Sequence, residues 1–259
     1  MNGVARRAKT LELLASRGPL TVEEFAGLLD VTESTVRRDL QRLAAEGAIT
    51  RTLGGAILPG TTGTEQTLAQ RSQESRAEKD AIGRWCADLI SPGETVMLDA
   101  GTTTGRVAAA LRHRAEITVI TTGVTSLLEL ATAEGVEVIL LGGRLRHISQ
   151  GLVGAMTDLT LSRVTADRVF LGADAIHATF GICEADLEQT RTKELMAQRG
   201  REVYVLADSS KLGLAPFDAW AQVGAYTLVT DWTATAAQLA PFREAGIDVI
   251  LAPVDAAAA

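Results

Sequence analysis

No apolar run in the sequence approaches the ~18 residues of a membrane-spanning helix. Arg6, Arg7, Lys9 and Glu12 interrupt the stretch where a secretory h-region would lie. The expectation is a cytoplasmic protein with no membrane partner. Cysteine is scarce: Cys86 and Cys183 stand far apart without metal-type neighbours, which predicts buried thiols rather than a disulfide or a zinc site. His113, His147 and His177 stand in no recognisable catalytic arrangement. The run Gly101-Thr102-Thr103-Thr104-Gly105 lacks the Gly-Lys-Ser/Thr ending of a Walker loop, and no Rossmann fingerprint follows the first strand of the second half. Nucleotide hydrolysis and dinucleotide redox chemistry are therefore weakly supported. No cofactor, metal or catalytic residue is expected.

What remains is a chain of 259 residues, 46% hydrophobic and 22% charged, long enough for one large core and one small one. Its net charge of −7 argues at first against a polyanionic partner. The distribution changes that picture. Residues 1–60 carry eight Lys/Arg and seven Asp/Glu, a net of +1, which leaves −8 for the rest. An acidic remainder repels phosphate and discourages non-specific coating of nucleic acid. Binding would then depend on small, correctly oriented basic surfaces, two of them in a dimer.

Those surfaces are legible in the N-terminal pattern. Arg6–Ser16 reads as an apolar-periodic helix through Leu11, Leu13 and Leu14, stopping before Gly18-Pro19. Thr21-Val22-Glu23-Glu24 is a capping box that starts a short helix carrying Phe25, Leu28 and Leu29. After a turn at Asp30-Val31, Val36, Leu40, Leu43 and Ala44 recur at helical spacing, with Thr32 as N-cap and Gly47 as C′ residue. Turning ~100° per residue from Val36 puts Ser34, Arg38 and Gln41 opposite the apolar face, with Thr35 and Arg42 on one flank and Arg37 on the other. Ala48–Leu58 alternates loosely around Gly54-Gly55, a two-stranded ribbon or wing that carries Arg51. Hydroxyls and an amide among guanidinium groups suit a helix lying in a major groove. A run of arginines is equally what a solvated helix face looks like, but the order of capped helix, turn, capped helix and Gly-Gly ribbon favours double-stranded DNA.

Beyond a turn-rich linker, Pro59 to Thr64, helical character resumes near Ser75 with Ile82, Trp85, Cys86 and Leu89 at core spacing. Short apolar runs then alternate with helix-length segments. Strands are expected at Thr95–Leu98, Ile117–Ile120, Val136–Leu141, Arg168–Leu171, Glu202–Leu206, Tyr226–Val229 and Asp248–Leu251, in a mainly parallel sheet covered on both faces. Small, hydroxyl and charged residues follow the strands repeatedly: Asp99 to Thr104, Thr121-Thr122-Gly123, Gly142-Gly143-Arg144, Gly172-Ala173-Asp174, Asp208 to Lys211, and Thr230-Asp231. Ligands in open α/β sheets sit beyond the carboxyl ends of strands, so these exits converge on one candidate pocket. A Gly-Thr-Thr-Thr loop opening a helix suits a phosphate, with Lys193 or Lys211 as compensating charge. Taken singly, Asp99, Asp174 and Asp208 are as readily explained as helix caps, and the glycines as turns. Repetition across the exits favours the pocket.

The run from Val31, V-T-x-x-T-V-R-R-D-L-x-x-L-x-x-x-G-x-I-x-R-x-x-G-G-A, closely resembles the N-terminal signature of the DeoR family of bacterial transcription regulators. The second half resembles that family's effector domain through Glu78-Lys79-x-x-Ile82-Gly83, Leu98 to Thr103, Ile117 to Thr121, Leu141-Gly142-Gly143, Phe170 to Asp174, Leu206 to Lys211 and Thr230-Asp231. The resemblance implies a winged helix-turn-helix over residues 1–58 (the helix-turn-helix at about 20–39), a linker over 59–74, and a sensing and oligomerisation domain over 75–255. It implies an α/β effector fold related to ribose-5-phosphate isomerase and CoA transferases.

By that resemblance the chain is a homo-oligomeric regulator of a carbohydrate operon, most simply a repressor, that binds operator DNA and is released by a phosphorylated sugar or related metabolite. The DNA-facing residues would be Thr32, Ser34, Thr35, Arg37, Arg38, Gln41, Arg42 and Arg51. Asp99, Gly101, Thr102, Thr103 and Thr104 would hold the phosphate or hydroxyls. Gly172, Asp174, Lys193 and Lys211 would line the remainder, and the exits add Thr122 and Gly142 as effector residues. The family usually has Ser where Thr32 stands and often His where Leu53 stands. It has Phe rather than Leu68 three residues before Arg71, Asn-Ser rather than Thr122-Gly123, and Glu-Ala rather than Gln189-Thr190 ahead of Lys193. The last two departures lie near the presumed pocket and mark ligand identity as the feature most open to change. The competing reading is a sugar-phosphate isomerase with a fused DNA-binding head. Isomerases of the related fold carry Asp-Gly-Ala-Asp-Glu, whereas Leu171-Gly172-Ala173-Asp174-Ala175 lacks the second acid.

Overall fold

The structure is a computed structural model that describes residues 2–17, 20–52, 54–57 and 65–254. The expected helix stop at Gly18-Pro19, Leu53 on the ribbon and the Pro59 to Thr64 linker lie outside the described residues. The chain divides into two compact units: Met1–Thr64 with Gly213–Asp218, and Glu65–Leu212 with Ala219–Ala259.

The smaller unit runs α1 (Gly3–Arg17), β1 (Leu20–Thr21), α2 (Val22–Leu29), α3 (Glu33–Ala45), β2 (Thr50–Thr52) and β3 (Gly55–Ile57). The capping box forms as its residues require: Glu24 N–H donates to Thr21 Oγ1 at 3.1 Å, and Thr21 N–H donates to the Glu24 carboxylate at 2.6 Å. Helix α2 ends at Asp30, which turns left-handed (φ 52°) and starts the short turn into α3. Gly47 takes φ 70° after α3, where a side chain would be strained. Leu13, Leu14, Phe25, Leu29, Val36, Leu40, Leu43 and Ile49 form the core. Leu28, expected on the apolar face, is instead exposed. Val22, Phe25 and Leu29 set the buried face of α2, and Leu28 lies about 90° from its centre. The ribbon β2–β3 is antiparallel as expected, and β1 adds a third strand on β3 that is too short to show periodicity.

The larger unit begins with α4 (Leu68–Gln73), a helix within the stretch read as linker, and α5 (Arg76–Asp88). It continues through β4 (Thr95–Leu98), α6 (Thr102–Leu111), β5 (Ile117–Thr121), α7 (Val124–Leu130), β6 (Val136–Leu140), β7 (Arg144–Arg146), β8 (Gly151–Val153) and α8 (Ala155–Leu161). Then follow β9 (Ala166–Gly172), β10 (Ala175–His177), β11 (Gly181–Glu184), α9 (Leu187–Ala197), β12 (Gly200–Leu206), a 3-10 turn (Ser209–Lys211), β13 (Ala219–Ala221), β14 (Thr227–Asp231), α10 (Ala236–Glu244) and β15 (Asp248–Ala252).

All seven expected strands form, and they make one parallel sheet in the order β15-β14-β12-β9-β4-β5-β6. Successive side chains point to opposite faces, which is why the strands read as continuous apolar runs. Val96, Leu98, Val119, Phe170, Leu206 and Val229 pack on one side with Ile82, Cys86, Val107 and Leu111. Met97, Ile120, Val169, Leu171, Val205 and Leu228 pack on the other with Leu161, Met196, Leu239 and Phe242. Both cysteines are buried. Two small antiparallel sheets, β10-β11-β13 and β7-β8, were not legible as strands in the sequence.

Strand order locates the ligand position. From β4 the chain builds outward through β5 and β6, then returns to place β9 on the other side of β4. The switch point is between β4 and β9, whose carboxyl ends lead into Asp99 to Gly101 and Ala173-Asp174.

Candidate functional site

On α3 the outward face is built as helical phase dictates. Ser34, Arg37, Arg38, Gln41 and Arg42 are exposed, Thr35 is half-buried, and Arg51 is exposed on β2. Thr32 occupies the N-cap position, but its side chain caps no backbone N–H; its hydroxyl lies 3.0 Å from those of both Ser34 and Thr35. Arg37 pairs with Glu33 one turn back at 2.5 Å, an exposed ion pair too weak to immobilise it. The intervening Asp39 faces inward and binds Arg6 and Arg7 of α1, so the acid of the Arg-Arg-Asp run braces the helix.

In the larger unit a small, polar cleft opens at the switch point. Gly101, Thr102 and Thr103 line it at the N-terminus of α6, where backbone N–H groups lack helical partners and favour an anion. Gly172 and Asp174 come from the β9 exit, Lys211 from the turn after β12, and Lys193 from α9. Arg71 enters from α4 and Glu184 from β11, two residues that strand-exit reasoning could not supply. Arg71 was visible only as a family-like position after the linker. Glu184 ends a ribbon strand without a distinctive motif.

The charges are held from below. Lys193 is fully buried; its Nζ donates to Asp99 Oδ2 and to the Gly172 carbonyl (2.9 Å), and it lies 3.2 Å from Glu184 Oε1. Asp99 also accepts from the Gly172 N–H at 3.2 Å. Burial disfavours charge on Lys193, but Asp99 and Glu184 outweigh it and hold its pKa above the usual lysine value. Burial pushes Glu184 up to about 8 against the pull of Lys193. Lys79 reaches under α4, donating to the carbonyls of Arg71 (2.6 Å) and Glu74 (2.8 Å); burial, reinforced by nearby Lys211, lowers its pKa to about 8. Lys211 donates to the Ala173 carbonyl at 2.6 Å.

None of the three strand-exit aspartates caps a helix. Asp99 serves Lys193 and Gly172, Asp174 pairs with Arg71 at 2.7 Å, and Asp208 accepts from the Ser210 hydroxyl. The Arg71–Asp174 pair is incompletely satisfied. Nε and one terminal nitrogen of Arg71, and Oδ2 of Asp174, are buried without a hydrogen-bond partner. Each such group costs on the order of 1–3 kcal/mol unless something binds it. Four of the expected effector residues fall outside this cleft, and two of them, Thr104 and Gly142, fall outside a smaller adjoining one as well. Thr104 points into the core and donates to the Gly101 carbonyl at 3.2 Å. Gly142 follows the edge strand β6, where its carbonyl accepts from Thr157 at 2.7 Å. Asp99 and Thr122 border a smaller adjoining cleft.

Residues 6–62 match the family model described as the DeoR-like helix-turn-helix domain, and residues 74–232 match the DeoR C terminal sensor domain. The HTH-type transcriptional repressor GlcR of Bacillus subtilis (strain 168) is 37% identical over 229 residues, 87% of this chain and 87% of that protein. The HTH-type transcriptional regulator GlpR of Haloferax volcanii is 32% identical over 246 residues, 95% of this chain and 96% of the relative. The glycerol-3-phosphate regulon repressor of Escherichia coli (strain K12) is 32% identical over 213 residues, 82% of this chain and 84% of the relative. Among solved structures, ribose 5 phosphate isomerase A from Neisseria gonorrhoeae aligns with a TM-score of 0.37 and 15% identity, over 51% of this chain and 52% of that chain. The chain belongs to the DeoR family of transcriptional regulators.

Proposed function

We propose that this chain is an operator-binding repressor of a carbohydrate-metabolism operon, released by a phosphorylated sugar or related small metabolite that binds in the switch-point cleft. The observation that carries the sensing half is Arg71 with Asp174: a part-buried ion pair with buried, unpartnered polar atoms, beside the α6 N-terminus, Lys193 and Lys211. Such a set suits a phosphate flanked by hydroxyls, because the cations and N–H groups take the anion while carboxylates accept from hydroxyls. The name of one relative, the glycerol-3-phosphate regulon repressor, points to the same ligand class. The DNA-facing half rests on the exposed Ser34, Arg37, Arg38, Gln41 and Arg42 and the half-buried Thr35, with Arg51 on the wing.

The working unit is a homo-oligomer in the cytoplasm. Edge strand β6 leaves Ile139 and Leu140 exposed, and Leu128, Leu145, Met156 and Leu159 are exposed as well, apolar area that a second copy would cover. A ligand that takes hold of Arg71 acts on α4, the first helix after the wing in sequence. Residues 1–58 are the DNA-binding domain in this reading and residues 75–255 the sensor; α4 belongs functionally with the sensor.

A salt-controlled titration of full-length protein against its operator, with and without a panel of sugar phosphates, tests the switch. Operator affinity should fall by ~1–3 kcal/mol with the correct metabolite, and DNA should weaken that metabolite equally. Unchanged affinity across a broad panel counts against sensing. Catalysis is not expected: Ala175 follows Asp174, and the Glu184 carboxyl is held against Lys193. Steady ketose formation from ribose 5-phosphate would overturn that.

A further inference from the structure

Beside the anion cleft lies a second, smaller cleft, bordered by Thr122, Gln189, Thr192 and the β8 residues Gly151, Leu152 and Val153. The two share Ala100 and Gln189, so one ligand can span both. Their electrostatics differ. The first holds Arg71, Lys193 and Lys211; the second is bordered by a single ionisable residue, Asp99, already engaged by Lys193 and Gly172.

Two neutral polar groups there are buried and unpartnered. Gln189 is 6% exposed and Thr122 1% exposed, yet Gln189 Oε1 and Thr122 Oγ1 have no hydrogen-bond partner. The main chain of each residue is anchored. The Gln189 N–H donates to the Asp186 carboxylate at the start of α9 (3.1 Å), and the Thr122 carbonyl accepts from Leu152 N–H (2.8 Å). The cleft is also short. A Cβ added at Gly151 would lie 2.9 Å from Ala100 Cβ, and one at Gly123 2.9 Å from Ala100 Cα, so glycines let these loops close against each other.

We propose that this second cleft is a specificity subsite for the uncharged, hydroxyl-bearing part of the effector, with Gln189 and Thr122 as the residues that select it. An amide and a hydroxyl can together donate to and accept from a sugar or polyol hydroxyl. A second phosphate would meet Asp99 with no spare cation, and an ammonium would meet no unpaired carboxylate. The ligand class narrows to a small hydroxylated monophosphate, disfavouring bisphosphates and amino-sugar phosphates. This rests on the anion-cleft reading and adds a prediction that reading does not make.

Calorimetric titration of the full-length protein with inorganic phosphate, glycerol 3-phosphate, fructose 6-phosphate, fructose 1,6-bisphosphate and glucosamine 6-phosphate separates the two. Glycerol 3-phosphate or fructose 6-phosphate, whose only charge is the phosphate, should bind at least about tenfold tighter than inorganic phosphate. Gln189→Leu and Thr122→Val should each reduce that ratio about five- to tenfold, the scale of one lost hydrogen bond. Gln189→Glu should shift preference toward glucosamine 6-phosphate, a gain that a misfolded variant would not show. Phosphate binding without any advantage for the hydroxylated monophosphates, or ratios untouched by the substitutions, overturns the subsite and leaves the anion cleft standing. If neither inorganic phosphate nor any phosphorylated probe binds, both readings fall.

Discussion

The outer face of α3 and the floor of the switch-point cleft place charge in opposite surroundings. Arg37, Arg38 and Arg42 are exposed and hydrated, whereas Lys193, Asp99 and Glu184 are buried at the carboxyl ends of β4 and β9. Exposed charges cost little to keep and gain little from one another, so a DNA-facing helix accumulates many modest, salt-screened interactions. Buried charges must be paired, and each unpartnered atom among them carries a penalty that a ligand can relieve. The first arrangement suits a long polyanion, and the second a small molecule of defined shape.

The comparison breaks most readily at Lys193. Lys193→Met would leave the Asp99 carboxylate buried without its cation, beside a Glu184 carboxyl that keeps its proton at neutral pH, and should cost about 3–5 kcal/mol in urea unfolding. An unchanged midpoint would mean that the Asp99 carboxylate is hydrated after all. Arg38→Ala should instead leave unfolding within ~0.5 kcal/mol. It should weaken operator binding by ~1–3 kcal/mol if Arg38 reads a base edge, or lower the salt slope by about 1 if it grips phosphate. Retained operator affinity after loss of both Arg37 and Arg38 would sink the assignment of α3.

Glu184 sharpens the contrast through pH. Its folded pKa of about 8 exceeds its ordinary value of 4.5, so between those pH values the folded protein keeps a proton that the unfolded chain has released. That contribution to stability is whole below about 4.5, declines by up to about 1.4 kcal/mol per pH unit, and is gone above about 8. Glu184→Gln should flatten the wild-type dependence across that window, as read by melting temperature. Thr21→Ala, which removes the α2 capping box, should cost about 1 kcal/mol in the smaller unit. A loss confined to amide protection in residues 20–52 would separate it from the cleft variants.

Legibility followed the physics of each element. Strands buried on both faces must be apolar runs, so the seven parallel strands were readable to within two residues at most ends. The capping box of α2 and the inward positions Val36, Leu40 and Leu43 were readable because caps and helical phase are local. Helix α4 hid in the stretch read as linker, since six residues give no periodicity, and β1, β7 and β8 are shorter still. Thr104 and Gly142 do not line either cleft, and a strand-exit motif does not state which residues face the opening. Thr104 lies on the inward side of α6, and Gly142 follows an edge strand away from the switch point.

The sequence by itself determined the two-part organisation, the family, the parallel sheet and the arginine face of α3, because all depend on composition, local caps and short-range periodicity. Only the tertiary structure decided the order of the strands, and therefore which exits meet. It brought Arg71 from α4 and Glu184 from β11 into one cleft with Asp174 and Lys193, across separations of up to 122 positions. It also set Gln189 beside Thr122 with buried polar atoms still to be satisfied. Hydrogen-bond satisfaction and pKa depend on neighbours in space, which no local pattern records.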